Sequence, residues 1–349
     1  MRKSVVFGVI MVLVVVCAGY AEDSGGLPFD VEKSACHGRM PGKTSHQEVV
    51  FAVFAEDAEQ ASHLVVLVES IRKFTGRFRE SPIWIYVPYG LELDQDTERK
   101  FAEYNVDVHC SRAPDPALEY FFSRKVFAAA AAETRAVDRT GILIWVDEDT
   151  VFLKDPRELV PDPGISLGYR PVMHPNIGSL YDEPVDAFWR RVYANLEVSD
   201  SSVFPMVTAA DGITIRPYFN AGLLVVRPER GILRKWAESF PKLYEDEILA
   251  AMCREDRRKR IFIHQAALTG AILNLLRRKE MKELPPTYNY PLFFDEMFGA
   301  PRKFDDISDA VSLRYDVFFR NAPPAWSRRL KGPVEIIDWL KVHFPERSR

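Results

Sequence analysis

The chain has 349 residues, 47% hydrophobic and 28% charged, with 46 Lys and Arg against 50 Asp and Glu for a formal net charge of -4. This is ordinary globular composition, with material for one large domain or two modest ones. No basic excess marks a nucleic-acid binder, so no nucleic-acid partner is expected; the basic stretch Arg254 to Arg260 reads as a solvated loop or helix end.

The chain opens on Met1-Arg2-Lys3, runs apolar from Val5 to Cys17, and then offers small residues up to Ala21. That order is a secretory leader, residues 1–21, cut after Ala21. The run is short for a membrane span, which needs about 20 apolar residues, so an uncut anchor is the second reading. Either way the chain is expected to be exported or membrane-anchored (secreted, periplasmic or lumenal). Cleavage would leave Cys36, Cys110 and Cys253. Their spacing fits no zinc pattern, and buried or unpaired thiols are expected, with one disulfide as the alternative for an exported chain. Residues 22–47 read as a linker and 48–349 as one domain.

Val49 to Phe54 (VVFAVF) is continuously apolar, the mark of a strand buried on both faces. Ala61 to Phe74 has helical spacing. Ile83 to Val87 (IWIYV) is a second buried strand, Asp96 to Tyr104 a helix, and Val106 to His109 a short third strand. Glu119 to Val137 is read as one helix, and Ile142 to Val146 (ILIWV) as a fourth strand. This alternation predicts βαβ units and a mostly parallel sheet flanked by helices. Ligands of such sheets sit beyond the carboxyl ends of the strands, here at Ala55-Glu56-Asp57 and Asp147-Glu148-Asp149. The second half is less regular. It holds a helical piece over Val185 to Leu196, a strand over Ala221 to Val226, and helices over Gly231 to Tyr244 and His264 to Leu276. A late strand over Ser312 to Phe319 and an amphipathic helix over Val334 to Phe344 complete it.

The chemistry concentrates in Leu143 to Pro156, LIWVDEDTVFLKDP. A buried strand runs straight into Asp147-Glu148-Asp149. Residues two apart on an extended chain point to the same side, so Asp147 and Asp149 are expected to grip one hard divalent cation, Mn2+ or Mg2+, through oxygen. Such a cation would bridge two phosphates and neutralise charge on a departing diphosphate.

This segment resembles the Asp-x-Asp stretch of GT-A glycosyltransferases. Two further stretches are similar to theirs: Tyr218-Phe219-Asn220-Ala221-Gly222-Leu223-Leu224 and His264-Gln265-Ala266-Ala267-Leu268. The resemblance covers roughly residues 48 to 280 and implies a Rossmann-like GT-A fold with an irregular C-terminal half. The implied activity is metal-dependent transfer of a hexose from a nucleotide-sugar, a UDP-sugar first among the candidates. The acceptor is not identified. Asn220 offers a donor and an acceptor to sugar hydroxyls, Gly222 permits close backbone approach, and Gln265 is a further sugar or acceptor contact. Lys125 lies where relatives place a base against the donor diphosphate; a solvated or helix-paired lysine is the alternative. His264 stands where Asp is common. Many relatives add a late His as a metal ligand, and the nearest stretch here, Ser312 to Phe319 (SLRYDVFF), has none; Asp316, a water or nothing takes that role. No catalytic base stands out among Asp211, Glu183 and His264. Two rival readings remain: a non-catalytic sugar- or nucleotide-binding protein on the same scaffold, and a haloacid-dehalogenase-type phosphatase using DEDTV with Asp305, Asp306 and Asp309.

Overall fold

In the computed structural model, the residues described are 47–292, 306–315 and 325–346. The first half alternates as its apolar runs require: β1 (Gln47–Phe54), α1 (Ala58–Phe74), β2 (Ile83–Pro88), α2 (Gln95–Glu103), β3 (Val106–Ser111), α3 (Ser123–Ala136) and β4 (Thr140–Val146). β5 (Thr150–Phe152), β6 (Leu167–Pro171), α4 (Ala187–Asn195), β7 (Met206–Val207), β8 (Thr214–Ile215) and β9 (Phe219–Val226) follow. The remainder comprises α5 (Ile232–Tyr244), α6 (Glu247–Glu255), α7 (Arg257–Leu275), β10 (Met281–Glu283), β11 (Tyr290–Pro291), β12 (Ser312–Arg314) and α8 (Val334–His343).

The central sheet has the order β10-β6-β9-β4-β1-β2-β3. All neighbours are parallel except at β9, which runs antiparallel to both β4 and β6. The sheet is therefore mainly parallel, as expected. β1 sends Val49, Phe51 and Val53 to a layer shared with Leu64, Leu67 and Ile71 of α1, and Val50, Ala52 and Phe54 to a layer shared with α3, α5 and α7. Burial on both faces is why the strand has no polar alternation. On the second face Ala128, Ala129 and Ala132 of α3 lie in the same core as Trp84 and Trp145; small side chains let a helix sit close over bulky sheet residues. Among the described residues no helix is long and apolar enough to cross a membrane.

A second, three-stranded sheet, β11-β12-β5, leaves the main one just past β4. β12 pairs antiparallel with β5, matching Leu313 to Val151 and Arg314 to Thr150. Its own core of Val151, Leu313, Trp326, Trp339 and Leu340 ties α8 to it.

Three expectations on element boundaries are corrected. The helix expected over Glu119 to Val137 begins only at Ser123: Asp115–Glu119 is a single tight turn, and Phe122 between them takes a left-handed backbone (φ 61°) that a bulky residue rarely adopts. The helix expected to start at His264 starts at Arg257, because the Asp256 side chain accepts from Arg258 N at 2.9 Å and caps it. The basic run Arg254 to Arg260 thus spans the end of α6, the Asp256 cap and the first turn of α7, and His264 and Gln265 lie well inside α7. The late strand keeps only Ser312–Arg314; residues 316–319, with Asp316, lie outside the described residues, as do the leader and Asp305. Cys253 is free and buried. Cys110 is disulfide-bonded, so the expectation of unpaired thiols fails there; its partner lies outside the described residues.

Candidate functional site

Asp147 directly follows β4, and its N–H donates to Gly222 O at 3.0 Å, prolonging the β4–β9 ladder by one step. The chain then turns, with Thr150 N–H donating to Asp147 O at 3.2 Å. The two carboxylates therefore converge through a tight turn and not through extended-strand alternation. Both are buried, at 7% and 6% exposure for Asp147 and Asp149.

Each carboxylate meets a cation of the chain itself. Lys125, in the first turn of α3 and 8% exposed, pairs with Asp147 Oδ1. A solvated lysine is thereby excluded. Arg314, the last residue of β12, grips Asp149: its Nε donates to Oδ1 at 3.0 Å and its Nη2 to Oδ2 at 2.8 Å. The same Nη2 lies 3.4 Å from Asp147 Oδ2. Tyr315 N–H donating to Asp149 O at 3.0 Å locks the two segments together at the backbone. Arg124, one residue before Lys125, goes elsewhere and pairs with Glu56 beyond β1. Burial alone would raise the Asp147 pKa, but the charges of Lys125 and Arg314 outweigh it and hold the carboxyl below its usual range. Half-buried Glu148 responds in the opposite sense: burial, then its two acidic neighbours, push it up to about 8.

The sequence-predicted residues of β9 join this cluster. Asn220 is 5% exposed, and its Oδ1 accepts from Gly222 N at 2.7 Å and from Asn289 Nδ2 at 3.2 Å. The turn-back falls in a bulge, since Tyr169 pairs with Leu224 while Pro171 pairs with Phe219. Gly222 has a tighter reason to be glycine than ligand approach. A Cβ there would stand 2.6 Å from Asp147 Oδ2 and 2.9 Å from Asn220 Oδ1, so Asn220 and Asp147 share one face and converge on the space a side chain would fill. Of the pair on α7, His264 faces the cluster. Its ring is 4.9 Å from that of Phe122, and burial, then the Lys125 charge, pull its pKa down to about 3. It is neutral at physiological pH, its Nδ1 2.8 Å from Ile261 O. Gln265 is buried on the same helix at the next position. Of the possible bases, Asp211 is bonded to Thr208, and Glu183 is exposed.

Two members of the cluster escaped sequence reasoning. Arg314 lies in the stretch searched for a histidine, and its signal was an arginine inside an otherwise apolar SLRY segment. Asn289 is 1% exposed and has a left-handed backbone (φ 51°), a conformation asparagine tolerates.

A divalent cation takes about six or more oxygens at about 2.0–2.6 Å. Here three of the four carboxylate oxygens of Asp147 and Asp149 are engaged by Lys125 or Arg314, and the fourth faces Arg314. Among the described residues no group of three or more His, Cys, Asp and Glu is placed to hold a metal ion. As it stands the donor set is that of paired salt bridges and does not fit a divalent cation.

A mainly parallel sheet reversed at one strand, with paired aspartates beyond the strand beside it, defines the class as GT-A glycosyltransferases. The family model for the Rhodobacterales glycosyltransferase domain matches residues 51–275, from β1 through the end of α7. The chain belongs to that family and is a glycosyltransferase. Comparison with curated proteins finds no match. Among solved structures the chain is similar to the apo form of the bifunctional glycosyltransferase WbbM, with 13% identity, 88% of this chain and 51% of that one covered, and a TM-score of 0.51. It is also similar to mouse xyloside xylosyltransferase 1 in its apo form (14% identity, 79% and 99% covered, TM-score 0.42). A third is the galactosyltransferase LgtC in complex with donor and acceptor sugar analogs (14% identity, 76% and 87% covered, TM-score 0.44). At these identities the likeness concerns the fold. The phosphatase reading falls with the family match, and Asp306 only caps its own turn through Ser308.

Proposed function

We propose that this chain transfers a hexose from a nucleotide-sugar, a UDP-sugar first among the candidates, to an acceptor hydroxyl. The donor site lies where β4 and β9 meet. The observation that carries the reading is the convergence of Lys125, Asp147, Asp149, Asn220 and Gly222 at one point beyond the carboxyl end of β4, in a chain of glycosyltransferase family. Lys125 would face the diphosphate, the group that gains negative charge as the glycosidic bond breaks. Asn220 and Gln265 would bind sugar hydroxyls, and the half-exposed Phe122 ring beside His264 would wall the pocket. An Mn2+ or Mg2+ ion between Asp147 and Asp149 is the form suggested by the resemblance to GT-A enzymes. The ion pairs on both carboxylates weigh against it, and no step here is routed through a metal. Export or anchoring through residues 1–21 belongs to the same proposal.

The test is incubation of purified protein with UDP-, GDP-, ADP-, CDP- and TDP-sugars, with nucleoside diphosphate release followed by chromatography. Release from one donor class supports the reading. Binding of a donor without any release would make the chain a binding protein on the same scaffold.

A further inference from the structure

We infer that Arg314, together with Lys125, does the work of a divalent cation in this site, so that donor binding and transfer need no metal. The inference rests on the glycosyltransferase reading above.

A cation bridging two carboxylates and a diphosphate must do three things: sit between the carboxylates, carry positive charge there, and stay fixed while the leaving group departs. Arg314 meets each requirement. Its Nη2 stands between the two aspartates, 2.8 Å from Asp149 Oδ2 and 3.4 Å from Asp147 Oδ2. Its guanidinium remains charged at any physiological pH and presents five N–H donors in a rigid plane that suits phosphate oxygens. The β12–β5 pairing sets Arg314 opposite Thr150, and the Tyr315 N–H to Asp149 O bond fixes the backbone on its far side. The residue is thus delivered by a sheet, not by a free surface arm. Lys125 closes the other flank of Asp147 from α3.

The two aspartates then have a different task from metal ligation. They hold two cationic side chains in position, as hydrogen-bonded carboxylates orient a neighbouring group elsewhere in proteins. For a metal to enter, it would have to break both ion pairs and leave Lys125 and Arg314 against its own charge. Among the described residues no third His, Cys, Asp or Glu stands with the pair in compensation.

In the transfer itself, the bond from the anomeric carbon to the diphosphate oxygen breaks, and its electron pair stays on that oxygen. A new bond forms from the anomeric carbon to the acceptor oxygen, and the acceptor proton leaves to solvent. The charge that accumulates on the diphosphate is met by Lys125 and Arg314.

The experiment is calorimetric binding of UDP, GDP, ADP, CDP and TDP to the whole chain, once with EDTA and once with manganese chloride. It is paired with electron paramagnetic resonance of Mn2+ to count bound metal. The expected result is one diphosphate bound with the same Kd in both buffers and no protein-bound manganese. Arg314→Ala should weaken that binding by about tenfold or more, and Arg314→Lys, which keeps charge without the fork, should recover part of it. Circular dichroism of both variants checks that they fold. If manganese tightens binding to the wild type about tenfold and is itself bound, the inference fails while the glycosyltransferase reading stands. Equal binding by wild type and a folded Arg314→Ala would also sink it. If no diphosphate binds in either buffer, the donor-site reading fails and this inference with it.

Discussion

Helix α3 buries a lysine in its first turn and a glutamate two turns later, and the fold treats them in opposite ways. Lys125 meets Asp147, which is in turn flanked by Arg314. Glu133 is fully buried but receives little: Arg234 N–H donates to its Oε2 at 2.8 Å, Arg234 Nε stays 3.7 Å away, and among the described residues its Oε1 has no hydrogen-bond partner. Burial accordingly pushes the Glu133 carboxyl up to about 7. A buried charge is costly unless it is paired. At the carboxyl end of β4 Asp147 and Asp149 each meet a cationic side chain; at the other end of the same helix the chain carries a carboxyl that titrates near neutrality. The two ends of α3 therefore differ in how closely the buried group meets an opposite charge.

The largest expected effect comes from unbalancing the matched cluster. Asp149→Ala leaves Arg314 without its bidentate partner and should lower kcat/KM by about 10²–10³-fold, while Glu148→Ala should cost far less. Steady-state kinetics with the active donor decide this. Greater sensitivity at Glu148 would mean that the turn presents a different carboxylate to the ligand.

Gly222→Val comes next. Its side chain would press on the Asp147 carboxylate, so we expect loss of donor binding together with about 1–3 kcal/mol of stability, read from denaturant titration. Loss of binding with unchanged stability would assign the glycine to ligand approach alone.

Smallest is the effect at the unmatched end. Between the unfolded carboxyl value near 4.5 and the folded value of about 7, the native state binds the extra proton. Stability from this group therefore falls as pH rises through that window, and the penalty is complete above it. Glu133→Gln should stabilise the protein by about 1–3 kcal/mol at pH 8, with the gain vanishing toward pH 4.5. A pH-independent difference in Tm between the two proteins would remove the contrast between the two ends of α3.

How far the sequence is readable follows the same physics. β1, β2 and β4 were legible to within a residue or two because burial on both faces leaves an unbroken apolar run. The start of α3 was not, because the left-handed turn at Phe122 leaves no mark in hydrophobic spacing. The start of α7 was misplaced because its first turn is the charged Arg257–Arg260 stretch, without apolar periodicity, although Asp256 was an available cap signal. Within the cluster, the motifs pointed to Asp147, Asp149, Asn220 and Gly222, since each sits at the end or in the bulge of a recognisable strand. Arg314 was not. Its approach to Asp149 depends on the pairing of β12 with β5, a register between segments far apart in sequence, and no local pattern encodes that.

The most direct measurement is a crystal structure of the protein with the nucleotide-sugar it turns over, grown in the presence of EDTA. The diphosphate is expected beyond the carboxyl end of β4, within hydrogen-bond reach of Lys125 and Arg314, with the sugar over Asn220 and Gly222. A donor bound elsewhere on the chain, or bound there without contact to either cation, would contradict it.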